Sequence, residues 1–219
     1  MSAAPSDIVT PETPLPGPRA AATSLILASG SVVRARLLAE AGVAFRREVA
    51  PVDEAEIKAT VAGEGGTAAM AAETLAELKA QRVSRRHPEA LVIGADQILE
   101  CDGTWFDKPA DAAAARATLV ALRGRSHLLL SSVAVVRGGE RLWHRNERAA
   151  LLMREFSDGF LDAYLAAAGP AALHSVGAYQ LEGLGAQLFQ RVDGDYFTIL
   201  GLPLLPLLDF MRNHGVVGR

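Results

Sequence analysis

Ser31 and Arg34 stand three residues apart in Leu25-Ile26-Leu27-Ala28-Ser29-Gly30-Ser31-Val32-Val33-Arg34, where an apolar run gives way to small residues and then to an amphipathic segment. Small residues let a backbone approach a ligand, and a helix N-terminus offers unpaired N–H groups and partial positive charge. A hydroxyl and a guanidinium beside that end suit an anion, most simply phosphate. The same spacing also fits an ordinary strand-turn-helix with Ser31 as N-cap and Arg34 exposed. Asp96 closes the apolar run Leu91-Val92-Ile93-Gly94-Ala95-Asp96. The carboxyl ends of buried strands are where ligands bind in open α/β sheets. A carboxylate there is costly unless it meets a cation, a metal or a donor; capping the next turn is its plainer role. Asp53 and Glu54 are adjacent hard-oxygen groups of the kind magnesium takes, or else a solvated turn. Lys79 lies on a helical face beside apolar positions, and Lys108 is fixed ahead of Pro109. An anion corner, two acidic positions and two lysines suit metal-assisted hydrolysis of a phosphoanhydride.

Other chemistries lack their residues. The five histidines show no metal spacing of the H-E-x-x-H type, and no G-x-S-x-G elbow or Walker A sequence occurs. Ser29 or Ser31 as a nucleophile would need a base that the sequence does not designate. One cysteine, Cys101, excludes an internal disulfide and fits a reducing cytoplasm. A net charge of -3 argues against a nucleic-acid surface. No apolar stretch reaches the roughly 18 residues a membrane span needs. A cytoplasmic location follows as the default expectation.

The elements that must position these side chains alternate between the two periods. Residues 1–22, rich in Ala and Pro, read as a flexible tail, and residues 23–219 as a single domain. Strands are expected at 25–28, 45–50, 91–101, 126–137 and 140–153, with Asp102-Gly103 as a hairpin turn. Helices are expected over 34–41, 67–83, 111–122, 157–168 and 202–213, with a weaker one within 56–66. Gly177 to Ala186 form a glycine-rich loop in which Glu182, Gly183 and Gly185 could enclose a flat ligand, or be a plain loop. Gln187 to Leu200 read as a hairpin around Asp193-Gly194. Hairpins alternating with helices predict an α/β fold with a mixed sheet.

In order along the chain, these motifs resemble the Maf family of nucleoside triphosphate pyrophosphatases. Its L-x-L-A-S-x-S-x-x-R pattern is matched by Leu25, Leu27, Ala28, Ser29, Ser31 and Arg34, and its V-D-E by Val52, Asp53 and Glu54. Lys79-Ala80, Gly94-Ala95-Asp96, Lys108-Pro109, Gly177-Ala178-Tyr179, Gly183, Gly194-Asp195-Tyr196-Phe197 and Gly201-Leu202-Pro203-Leu204 complete the likeness. The resemblance implies a twisted mixed sheet with flanking helices in two lobes around a cleft. It implies cleavage between the α and β phosphates with a divalent cation, Mg2+ or Mn2+. Asp96 would be the proton acceptor, Ser31, Arg34, Lys79 and Lys108 would hold phosphate, and Glu54 with Asp96 would ligate the metal. Family members often pair as dimers. Two departures stand out: the second arginine of the pattern is replaced by Ala35, with Arg36 out of register, and Gln97 and Glu182 resemble the branch that prefers 7-methyl-GTP. Gly177-Ala178-Tyr179 and Val33 do not follow that branch, so the base is open. A nucleotide-binding regulator of cell division with little turnover is the alternative that the missing arginine favours.

Overall fold

In the computed structural model, residues 7–9 and 25–218 are described. They form two compact units. The first comprises residues up to Asp96, Ser131–Glu147 and the chain from Gly201; the second comprises Gln97–Leu130 and Arg148–Leu200. The strands follow the hydrogen-bonded order β1-β3-β2-β4-β6-β7-β8, with β5 on β4, where β1 is Asp7–Val9, β2 Leu25–Leu27, β3 Phe45–Arg47, β4 Leu91–Cys101, β5 Thr104–Phe106, β6 Ser126–Arg137, β7 Glu140–Met153 and β8 Phe189–Asp193. Parallel and antiparallel pairs coexist, so the sheet is mixed, as the alternation of hairpins and helices requires.

In the first unit β2 runs parallel to both neighbours, Leu27 facing Arg47 of β3 and Ile93 of β4. All three residues of β2 are buried, which is why it reads as an unbroken apolar run. Helices α1 (Val32–Glu40), α2 (Glu54–Gly63), α3 (Ala68–Ser84) and α7 (Leu204–Asn213) belong to this unit. Ile26, Ala28, Ala50, Ala80, Val83, Val92 and Val136 share one core cluster. Gly94 brings α3 close to β4: a Cβ there would lie 2.0 Å from the Ala76 carbonyl oxygen and 2.9 Å from Ala80. Any side chain at 94 would push the helix off the strand.

The second unit holds α4 (Ala112–Leu122), α5 (Asp158–Ala168), two 3-10 helices (Gly169–His174 and Leu184–Leu188) and α6 (Tyr196–Ile199). Leu119, Leu122, Leu129, Leu151, Met153 and Leu161 lie at its core. Side chains cap α3, α4 and α5. Thr67, Asp111 and Ser157 each accept a hydrogen bond from the backbone N–H three residues on.

Three expectations need correction. Asp7–Val9, placed by sequence in the tail, pair antiparallel with β3; residues 1–6 and 10–22 of that tail lie outside the described residues. Helix α1 begins at Val32, two residues early, because Ser31 caps it. Residues 187–200 are not a hairpin. Only Phe189–Asp193 is a strand, paired with β7, and the Asp195 carboxylate accepts from Thr198 N at 2.8 Å to start α6. An Asp-Gly signal for a turn thus lost to an Asp that caps a helix.

Candidate active site

Asp96, Lys79, Glu54 and Arg34 converge in the first unit. Lys79 projects from α3 and places Nζ 2.5 Å from Asp96 Oδ1 and 2.6 Å from Glu54 Oε1. Asp96 and Lys79 are 5% and 8% exposed, whereas the Glu54 side chain is 48% exposed. One buried ammonium therefore joins two carboxylates, one sealed and one at the surface. Burial pushes the Glu54 carboxyl up, but the charge and hydrogen bond of Lys79, helped by Lys58 and Arg34, outweigh it and hold Glu54 below its ordinary value. Asp53 is engaged differently: its Oδ1 accepts from Glu56 N at 3.0 Å and caps α2, which fixes Glu54 in the first helical turn.

Arg34 is a brace. Its Nε donates to the Gly201 carbonyl at 2.7 Å, and Nη1 donates to the Ala95 carbonyl at 2.8 Å and to Ser29 Oγ at 3.2 Å. The first helical turn of α1 is thereby tied to the middle of β4 and to the backbone that leads into α7. Neither sequence reading had this geometry, for Arg34 is 9% exposed instead of solvent-facing. Burial lowers its pKa, with Asp96 and Glu54 pulling the other way. Nη2 makes no hydrogen bond among the described residues, yet it is not sealed away, since the only fully buried unpartnered side-chain nitrogen or oxygen among them is His127 Nδ1. That leaves one end of the fork open. Ser31 is the N-cap, its Oγ accepting from Arg34 N at 3.3 Å, while Ser31 N donates to Ser29 Oγ at 3.2 Å. Ser29 is thus a structural centre of the turn, where the sequence suggested a motif residue or a nucleophile lacking a base.

Arg47 was not anticipated. Its guanidinium donates to the Ser29 carbonyl at 3.1 Å and to the Gly30 carbonyl. An arginine at the end of a short strand carries no local signal of such a role, because the parallel register that brings it to Leu27 is a tertiary fact. Val33 is partly buried on α1.

The remaining expected residues belong to the second unit. Lys108 is exposed in the loop between β5 and α4, ahead of the buried Pro109. Gln97 directs its amide: Nε2 donates to the Thr198 and Ile199 carbonyls, both at 3.1 Å, anchoring the end of α6. Glu182 is exposed in a turn that follows the segment held by Tyr164 and Tyr179. Tyr164 Oη donates to the Ala178 carbonyl at 3.0 Å, and Tyr179 Oη meets His127 Nε2 at 2.8 Å. Gly177 has no room for a side chain, as a Cβ would lie 2.2 Å from the Tyr179 ring. Burial lowers the His127 pKa to about 4 and raises the Tyr164 hydroxyl to about 12.

Among the described residues no three His, Cys, Asp or Glu side chains group as a metal cage. Glu54 and Asp96 are nonetheless hard oxygen donors already converging on one cation. That pair suits magnesium or manganese shared with substrate phosphates, the usual arrangement where protein supplies only one or two carboxylates.

A family model described as Maf-like protein matches residues 24–214. A protein of Paramagnetospirillum magneticum named nucleoside triphosphate pyrophosphatase is 62% identical over 190 residues, covering 87% of this chain and 98% of its own length. One of the same name from Granulibacter bethesdensis is 54% identical over 190 residues, covering 87% and 96%. A 7-methyl-GTP pyrophosphatase of Rhizobium meliloti is 47% identical over 193 residues, covering 88% and 97%.

Proposed function

Because this chain belongs to the Maf family, we propose that the Lys79-centred cluster is the catalytic centre of a nucleoside triphosphate pyrophosphatase. The single observation that carries the reading is the buried Asp96 held 2.5 Å from Lys79 within β4, rather than at its carboxyl end, beside the turn capped by Ser31. The triphosphate lies over that turn, against the unpaired N–H groups at the start of α1 and the open end of Arg34. The family pattern adds Lys108 as a further cation for phosphate. Asp96 takes a proton from a water molecule as its oxygen bonds to phosphorus, and the bond between that phosphorus and the α–β bridging oxygen breaks. The products are a nucleoside monophosphate and diphosphate. Lys79 orients Asp96 through their 2.5 Å contact and offsets charge developing on the phosphate. Glu54 and Asp96 would hold a divalent cation; when bound, it supplies neutralisation for the phosphate oxygens.

For the base, Glu182 is the discriminating residue, and Gln97 acts through the segment it anchors at residues 198–199. A carboxylate at this position suits the cationic edge of a 7-methylated guanine. The enzyme works in the cytoplasm, on free nucleotides. Among the described residues no helix is long and apolar enough to cross a membrane.

The test is diphosphate release from a panel including 7-methyl-GTP, UTP and dTTP, with Mg2+ or Mn2+. Asp96→Asn should lower the rate by about 10²- to 10⁴-fold, and full activity in that variant would remove Asp96 from the mechanism. Tight binding of nucleotide without diphosphate release across the panel would instead favour the regulatory reading. Glu182→Gln should shift preference away from 7-methyl-GTP; an unchanged ranking would remove Glu182 from base selection.

A further inference from the structure

The family pattern has a second arginine directly after the first, where this chain has Ala35 in its core, 9% exposed. A second guanidinium nevertheless reaches the same turn from another strand. Arg47 ends β3, level with Leu27, the last residue of β2. Its Nε and Nη2, the side edge of the fork, are engaged by the Ser29 and Gly30 carbonyls. The end edge, formed by Nη1 and the second N–H of Nη2, has no protein partner among the described residues, and the side chain is only partly buried. The neighbouring carboxylate does not neutralise it. Glu48 pairs with Arg86 and with His87, each at 2.7 Å. Arg34, by contrast, is buried and faces Asp96 and Glu54.

We propose that Arg47 supplies the second arginine of the phosphate seat and holds the diphosphate half of the substrate, an assignment that rests on the pyrophosphatase reading above. The strand order β3-β2-β4 sets Arg47 and Asp96 on opposite sides of the turn at residues 28–31. Two interstrand spacings separate β3 from β4, about 10 Å. A phosphate chain hydrolysed beside Asp96 and crossing the turn brings its distal phosphates to the β3 side, where a braced fork with an open end is suited to bidentate contact. Because the same guanidinium also grips the carbonyls of the turn, phosphate and loop are tied through one rigid group.

Arg47→Met and Arg47→Lys test this on the full chain, by titration with inorganic diphosphate and with the monophosphate of the best substrate, and by steady-state KM and kcat. Arg47→Met should weaken diphosphate binding and raise KM about tenfold, the loss of a charge-assisted hydrogen bond, while monophosphate binding stays unchanged. Arg47→Lys should keep part of the diphosphate affinity, since an ammonium retains charge but cannot bridge carbonyl and phosphate together. Equal weakening toward both products, or an unchanged KM in a folded Arg47→Met protein, would overturn the assignment. Should the wild type release no diphosphate from any triphosphate, the pyrophosphatase reading fails instead, and direct titration with diphosphate still decides the role of Arg47.

Discussion

Lys79 is the residue on which the cluster depends, because it answers two carboxylates at once. Replacing it by Met would leave Asp96 buried with Glu54 nearby and no ammonium between them. Breaking a buried pair on one side costs about 3–5 kcal/mol, and the lower end applies because Glu54 is half-exposed. Urea unfolding at pH 7 of wild type and Lys79→Met checks this. The pH dependence has a definite sign. Glu54 sits below its ordinary value of 4.5 in the folded protein, so its share of stability is present above that pH and is lost as pH falls through the lower folded value. The stability gap between wild type and Lys79→Met should therefore narrow on acidification below about pH 4.5. A constant gap across that range would show that Glu54 is not coupled to Lys79 in solution.

At the scale of the element, the site depends on how closely α3 approaches β4. Gly94 permits backbone-to-backbone contact with Ala76 and Ala80, and Lys79 is one residue from that contact. Gly94→Ala should destabilise the fold by about 1–3 kcal/mol, the range for overpacking, and displace Lys79 from Asp96. Denaturant midpoint and diphosphate release should fall together; a fully active, fully stable variant would mean α3 shifts without moving Lys79. The start of α1 makes a separate case. Ser31→Ala removes the cap bond to Arg34 N and should cost about 1 kcal/mol, seen as a lower melting temperature. The sequence reading offered phosphate binding and N-capping as alternatives for Ser31; the structure has the cap, and a capping serine still borders the N–H groups an anion would use.

Across the whole molecule, the two units have different acid responses. In the second, His127 is 1% exposed, with Nδ1 unpartnered and Nε2 against Tyr179. Its folded pKa of about 4 lies below the ordinary imidazole value of 6.5, so the unfolded chain binds the extra proton first. Stability is then full above about pH 6.5 and declines as pH falls toward 4, by on the order of 3 kcal/mol. His127→Gln, which cannot titrate, should flatten the melting temperature between pH 4 and 6.5. An identical slope in the variant would exclude His127 as the source.

Local signals in the sequence specify the set of elements and the candidate residues for the site. Apolar period and caps placed β4, β6, β7, α3, α4 and α5 almost to the residue, because those signals are local: a Thr, Asp or Ser acts on an N–H three positions on. The motif order likewise named Ser31, Arg34, Glu54, Lys79 and Asp96 together. Only the tertiary structure decided what each does. Arg34 became a buried brace because the Gly201 and Ala95 carbonyls, far away in the chain, meet it at the end of α1. Arg47 entered the turn because parallel pairing sets β3 beside β2. The charge at that turn comes from two guanidinium groups, and long-range backbone pairing, which no local spacing encodes, brought the second one there.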